Sequence, residues 1–184
     1  MDFSTIDLCS KALHKIGASE IVSFDEATPE AEMASGFYPS LKARLLAAFP
    51  WSFATVEARL SRLAEKGGSG YAFAFALPNG FLRAVRIAPS VPYKIMGGRL
   101  LSNAGELALL YVADVPEENF SPAFASALVY ALAAEFSTSL LNDAAKFNLF
   151  YKLHMIELKE AKFLDSAGES PKGIKSFPLI DARK

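Results

Sequence analysis

The sequence predicts an α+β protein: a helical bundle with an inserted antiparallel β-meander and an extended C-terminal arm. Two observations carry that reading. Apolar residues recur at helical spacing before residue 50 and after residue 121, whereas between about 70 and 113 they alternate with a period of two. A third observation locates the switch. In Phe49-Pro50-Trp51-Ser52-Phe53-Ala54 a proline ends the preceding helix, and the only tryptophan lies between two phenylalanines. Such a cluster can pin the entry into the β region against both helical ends, and a core corner is the reading favoured by the residues alone.

The totals bound the class. A chain of 184 residues with 52% hydrophobic residues fits one compact domain, here residues 1–165, followed by an arm at 166–184. A net charge of −1 provides no basic excess for nucleic-acid binding and little repulsion against self-association. Cys9 is the single cysteine, so no internal disulfide can form, and its apolar helix face suggests a small buried hydrophobe. The start lacks the charged and apolar regions of a signal peptide, and the most apolar run, Phe124 to Phe136, is too short to span a bilayer. The expectation is a protein made and folded in a cytoplasm, with no membrane partner.

The first helix is expected at about 5–16. Ser4-Thr5-Ile6-Asp7 reads as a capping box; Ile6, Cys9, Leu13 and Ile16 share one face, and Gly17 supplies the stop. Thr28-Pro29 opens a second helix, about 29–49, whose stripe runs through Ala34, Phe37, Tyr38, Leu41, Leu45 and Ala48. Pro39 lies inside it and predicts a kink near Tyr38 or two abutting helices. The charged stretch Glu57 to Lys66 reads as weakly helical, and Gly67-Gly68-Ser69-Gly70 as a loop. That glycine run lacks the flanking strand, helix and lysine of a phosphate-binding loop.

Tyr71, Phe73 and Phe75 alternate with alanines as a strand. Phe81, Arg83, Val85 and Ile87 make another, and Tyr93-Lys94-Ile95 starts a hairpin that turns at Gly97-Gly98 and returns through Arg99-Leu100-Leu101. Leu107 to Ala113 closes the meander. Ser121-Pro122 opens a third helix, about 122–141, apolar on most of its circumference and so expected at the centre of the bundle. The last helix, about 143–164, carries two apolar stripes. Phe147, Phe150, Tyr151, Leu158 and Ala161 form one, and Leu149, Leu153, Ile156 and Phe163 form the other, on nearly the opposite face. One stripe serves the chain's own core, and the second is expected to meet a neighbouring subunit. In the C-terminal arm Ile174, Phe177, Leu179 and Ile180 are set among Gly, Ser, Pro and Lys. Both a disordered tail and an arm that orders on a partner fit that composition.

No catalytic, cofactor or metal site emerges. His14 and His154 are the only imidazoles, neither has a nucleophile motif nearby, and one cysteine with two distant histidines gives no zinc spacing. Asp25, Glu26, Glu30 and Glu32 surround a helix start, where acids are expected from the dipole, and Glu117-Glu118 has the same explanation. Arg83, Arg86, Lys94 and Arg99 in the meander are read as solvating an exposed sheet face rather than touching phosphates.

The order of these pieces resembles the tail tubular protein A, or head-to-tail adaptor (connector), family of short-tailed bacteriophages. The residues that carry the resemblance are Asp7 to Leu13 with Gly17-Ala18, the helix Glu30 to Phe49 with Tyr38-Pro39, and Pro50-Trp51-Ser52-Phe53-Ala54. It continues through Tyr71-Ala72-Phe73 to Leu77-Pro78, Leu82-Arg83, Gly97 to Leu101, Leu107 to Ala113 and the helices to about Ala161. The segment after Ser166 is outside the match. The resemblance implies a structural virion protein at the head-tail junction, not an enzyme and without cofactors. Its partners would be the portal protein, a tail nozzle protein similar to tail tubular protein B, and copies of itself in a dodecameric ring. DNA would pass through that ring without specific binding. Two other expectations are carried beside it: a tail-associated peptidoglycan-degrading enzyme with Glu30 or Glu32 as acid, and a head-completion protein of a long-tailed phage or gene-transfer particle.

Overall fold

The structure, a computed structural model, describes residues 3–168. These form, in chain order, α1 (Thr5–Ile16), α2 (Pro29–Ala47), β1 (Thr55–Arg59), β2 (Arg62–Gly68), β3 (Tyr71–Ala76), β4 (Phe81–Ala88), β5 (Tyr93–Met96), β6 (Arg99–Ser102), β7 (Ala108–Ala113), a 3-10 turn (Glu117–Asn119), α3 (Pro122–Ser139) and α4 (Ala144–Ala167). The α+β class therefore holds, with the β region inserted between two pairs of helices.

Each helix starts on a side-chain cap. Ser4, Thr28, Ser121 and Asp143 accept from the backbone N–H three residues on, and prolines occupy the first turns of α2 and α3. At the start of α1 only half of the expected box forms, since Asp7 pairs with Lys11 one turn later, at 2.7 Å. Gly17 ends α1 at φ 82°, a left-handed geometry that lets it bond back to Leu13 and His14. α2 runs as one helix through Pro39 instead of dividing into two. The proline ring is exposed, while Ala34, Tyr38, Leu41 and Leu45 are buried on both sides of it, so tertiary packing keeps the helix continuous across it.

α3 is the central helix. Eleven of its residues are buried, and α1, α2 and α4 all pack on it. The aromatic corner sits where the bundle meets the β region. Trp51 is fully buried, edge-on to Phe49 and Phe124 with ring centroids 5.0 Å away in each case, and stacked on Phe53 at 5.8 Å. Its indole N–H donates to the Leu45 carbonyl at 3.0 Å, satisfying a group freed by the end of α2.

The β region departs from the expected meander in two ways. The stretch 57–66 belongs to two strands and the link between them, not to a weak helix: β1 pairs antiparallel with β7, and β2 with β3. Ala58 and Leu60 point to the interior between exposed Glu57, Arg59 and Ser61, a period of two that the charge-rich composition obscured. The strands also divide into two sheets, β1-β7-β4 and β2-β3-β6-β5. β3 and β4 are consecutive but do not pair, and β7 returns between β1 and β4. Of the 67–70 glycine run, Gly67 and Gly68 end β2 and Ser69-Gly70 make the hairpin turn into β3. A side chain at Gly67 would place its first carbon 2.5 Å from the Tyr71 carbonyl oxygen, so only glycine fits there.

Candidate assembly interface

α4 is clamped along its length. At its start Asp143 caps the Lys146 N–H at 2.9 Å, and the Lys146 ammonium reaches the Ile16 carbonyl of α1 at 3.4 Å. In the middle, Phe150 packs against Tyr130 with centroids 6.4 Å apart, and His154 Nδ1 lies 2.9 Å from the Ala127 carbonyl. Only a ring N–H can donate to that oxygen, which fixes the proton on Nδ1. Burial holds the His154 pKa below the ordinary range; the Ala127 bond pulls it upward, and the charges of Arg44 and Lys162 depress it further. At the far end the Asp165 carboxylate accepts from the Ser52 backbone N–H at 3.0 Å and from its hydroxyl at 2.7 Å, while Lys162 lies over the Phe49 ring. The last turn is thereby tied to the aromatic corner, and the helix runs three residues beyond the expected Leu164.

The side facing away from α3 has no such partners. Leu149, Ile156 and Phe163 are 53%, 61% and 71% exposed. Seven residues make two turns less about 20°, so the three line up as a ridge of roughly 21 Å. Lys152 and Lys159 run beside it, and Tyr151 and Met155, each 48% exposed, lie beyond the lysines. The second stripe is thus brought to the surface as expected, with one correction: Leu153 is partly buried and packs against the core. It sits between the ridge and the α3 contact, about 60° round the helix from Ile156. In the first stripe Phe150 and Ala161 are buried, Phe147 and Leu158 partly so, and Tyr151 is exposed. The other expected interface residues, Ile174, Phe177, Leu179 and Ile180, lie outside the described residues, as does most of the 166–184 arm.

A polar knot that the residues' order did not suggest joins α2 to the connector after β7. The Tyr38 hydroxyl donates to Glu117 Oε1 at 2.8 Å, and Lys42 bridges Glu117 and Asp114 at 3.0 Å each. Burial by itself would raise the Glu117 pKa, but the bonds from Tyr38 and Lys42 outweigh it and hold the carboxylate below the ordinary range. The same burial, together with Glu117, raises the Tyr38 pKa, and burial with Glu117 pushes the Cys9 thiol up to about 12. Tyr38 and Lys42 are one turn apart on a helix, but nothing in the sequence links them to a glutamate 79 positions beyond Tyr38.

Two hollows open on the surface of the described residues. One, of about 480 Å³, opens where three strand connections pass, between Arg59–Arg62, Ala88–Pro89 and Gly105–Ala108. The other, of about 410 Å³, lies between α1 and α3, with Leu8, Ala125 and Val129 as floor and Lys11, His14 and Lys15 as rim. Neither is lined by Asp25, Glu26, Glu30 or Glu32, and among the described residues no group of three metal-ligating side chains forms. Of the meander cations, Arg86 and Lys94 are exposed and Arg99 pairs with Glu65, whereas Arg83 Nε is buried with no hydrogen-bond partner among the described residues. No helix among the described residues is long and apolar enough to cross a membrane. No protein-family model matches the chain, and no curated protein matches it.

Proposed function

We propose that the chain is a head-to-tail adaptor subunit of the short-tailed phage type. It would sit in the virion under the portal, extend the DNA channel and carry the tail nozzle, with no chemistry of its own. The observation that supports this reading is the outward face of α4: a rigid helix, fastened at both ends and in the middle, that leaves a row of large apolar side chains in water. Monomeric proteins rarely keep such rows uncovered. Near-neutral charge is compatible with a channel through which DNA slides, because each phosphate neutralised adds affinity that would impede movement. The ordered pieces that resemble the adaptor family, from the capped first helix to the proline-tryptophan corner, are the second support.

The test is the mass by light scattering of the purified chain, alone and mixed with the matching portal ring. The expected result is a saturating multi-subunit complex on the portal, abolished by Ile156→Glu with the fold unchanged by circular dichroism. No association in either condition overturns the proposal, as does an Ile156→Glu variant that assembles normally.

A further inference from the structure

The outward face of α4 carries charge as well as apolar area. Lys152 and Lys159 are exposed, and among the described residues no carboxylate lies within ion-pair distance of either. The lysines mark one flank of the ridge, and exposed Glu160 lies on the other; a surface that covers the lysine flank brings an apolar tip and negative charge, and the chain has such a surface of its own. Val22, in the connector between α1 and α2, is 80% exposed, more than Phe163. The connector is built rigidly. Ser10 Oγ bonds both the N–H and the carbonyl of buried Ile21, Glu26 Oε1 accepts from the N–H groups of Val22 and Ser23 at 2.6 and 2.8 Å, and Phe24 packs by Tyr38. Asp25 bonds to Ser23 beside the tip, and Glu30 and Glu32 follow in the first turn of α2; none of the three is in an ion pair with a residue of this chain among those described.

We infer that the lysine-striped face of α4 in one copy docks on the Val22 connector and acidic start of α2 in a second copy. The inference rests on the assembly reading and adds the mate of that face. Val22 enters beside Ile156, and the lysine flank of the ridge meets the carboxylates. Because the two surfaces belong to different elements, the contact is heterologous and repeats from copy to copy; it closes a ring when the rotation permits. Neither surface needs to reorganise, since both are held by hydrogen bonds within the chain.

The experiment uses two charge-reversed full-length chains: one with Lys152→Glu and Lys159→Glu, the other with Asp25→Lys and Glu32→Lys. The substituted side chains are exposed, so both variants should fold, which circular dichroism checks. Mass is measured by light scattering across a concentration series at low salt and on the portal ring. Like charges now face each other in each variant alone, and association should weaken by about a hundredfold or more relative to the unaltered chain. Mixed one to one, the variants are complementary at both contacts, and association should return as an alternating assembly. If either variant alone associates like the unaltered chain, or the mixture stays monomeric while the unaltered chain assembles, the mate is wrong and the assembly reading stands. If the unaltered chain fails to associate even on the portal, the two fall together.

Discussion

Trp51 shows how much one residue can carry. Its ring touches both helical ends and its N–H bonds the Leu45 carbonyl near the end of α2. Trp51→Ala should cost about 3–5 kcal/mol, the range for emptying a large aromatic site. Trp51→Phe keeps most of the apolar contact and removes the indole bond to the Leu45 carbonyl, which still accepts from the Ala48 N–H, and should cost about 0.5–1.5 kcal/mol. Urea unfolding followed by circular dichroism separates the two; a Trp51→Phe variant as stable as the unaltered chain would mean that the hydrogen bond contributes nothing. The buried titratable residues set a second expectation. His154 is depressed in the fold, so the unfolded chain takes up its proton first, and stability is lost as pH falls from about 6.5 through the folded pKa. Glu117 is also depressed, and its contribution is present above about 4.5 and lost as pH falls through its lower folded value. Cys9 is raised, so its contribution is complete below about 9 and disappears as pH rises towards 12. Substituting His154→Gln should flatten the decline between pH 7 and 5 in thermal melts; an unchanged slope would assign that decline to other groups.

At the scale of elements, α4 joins two opposite demands in one helix. Phe150, His154 and Ala161 serve the core, while Leu149, Ile156 and Phe163 do not. Glutamate placed at these two kinds of position should separate them. Ile156→Glu should leave stability within about 0.5 kcal/mol, whereas Leu153→Glu, which puts a charge at the edge of the core, should cost more than about 1 kcal/mol. Equal losses in thermal unfolding would mean that the ridge packs within the monomer. Both stripes were legible in the sequence because a 24-residue helix repeats its pattern often enough for the faces to separate. The caps were legible for a related reason, each being a local arrangement of three or four residues. What was not legible depended on distant partners. The strands of residues 55–68 exist because β7 and β3 pair with them, and their exposed charges mimic a weak helix. The division into two sheets depends on β7 returning between β1 and β4, a choice made 50 residues after β1. Leu153 was misplaced because spacing gives its direction on the helix but not how far the core extends around it.

For the molecule as a whole, the decisive feature is that one apolar cluster runs through all four helices and into both sheets. Leu13, Leu46, Leu132 and Ala161 belong to it, as do Leu109 of the three-stranded sheet and Phe75 and Leu100 of the four-stranded one. Trp51 lies at the crossing, and Ser52 is clasped there by the last turn of α4, so neither part can loosen without exposing the other's apolar surface. A bundle and a β subdomain that shared only a linker would melt separately; these two should unfold together. The chain supplies its own probes. Trp51 is the single tryptophan, so its fluorescence reports the junction, while far-ultraviolet circular dichroism near 222 nm reports mainly the helices. The two transitions should coincide in urea, and the calorimetric and van't Hoff enthalpies should agree. Fluorescence that changes well before the helical signal would place the weak point at the corner itself. In that case the aromatic cluster is a hinge between two independently stable parts. A subunit with such a hinge would present the α4 face at variable angles, which is incompatible with the fixed repeat that a closed ring requires. Coincident transitions, by contrast, describe a single rigid block whose outward surfaces keep one orientation from copy to copy.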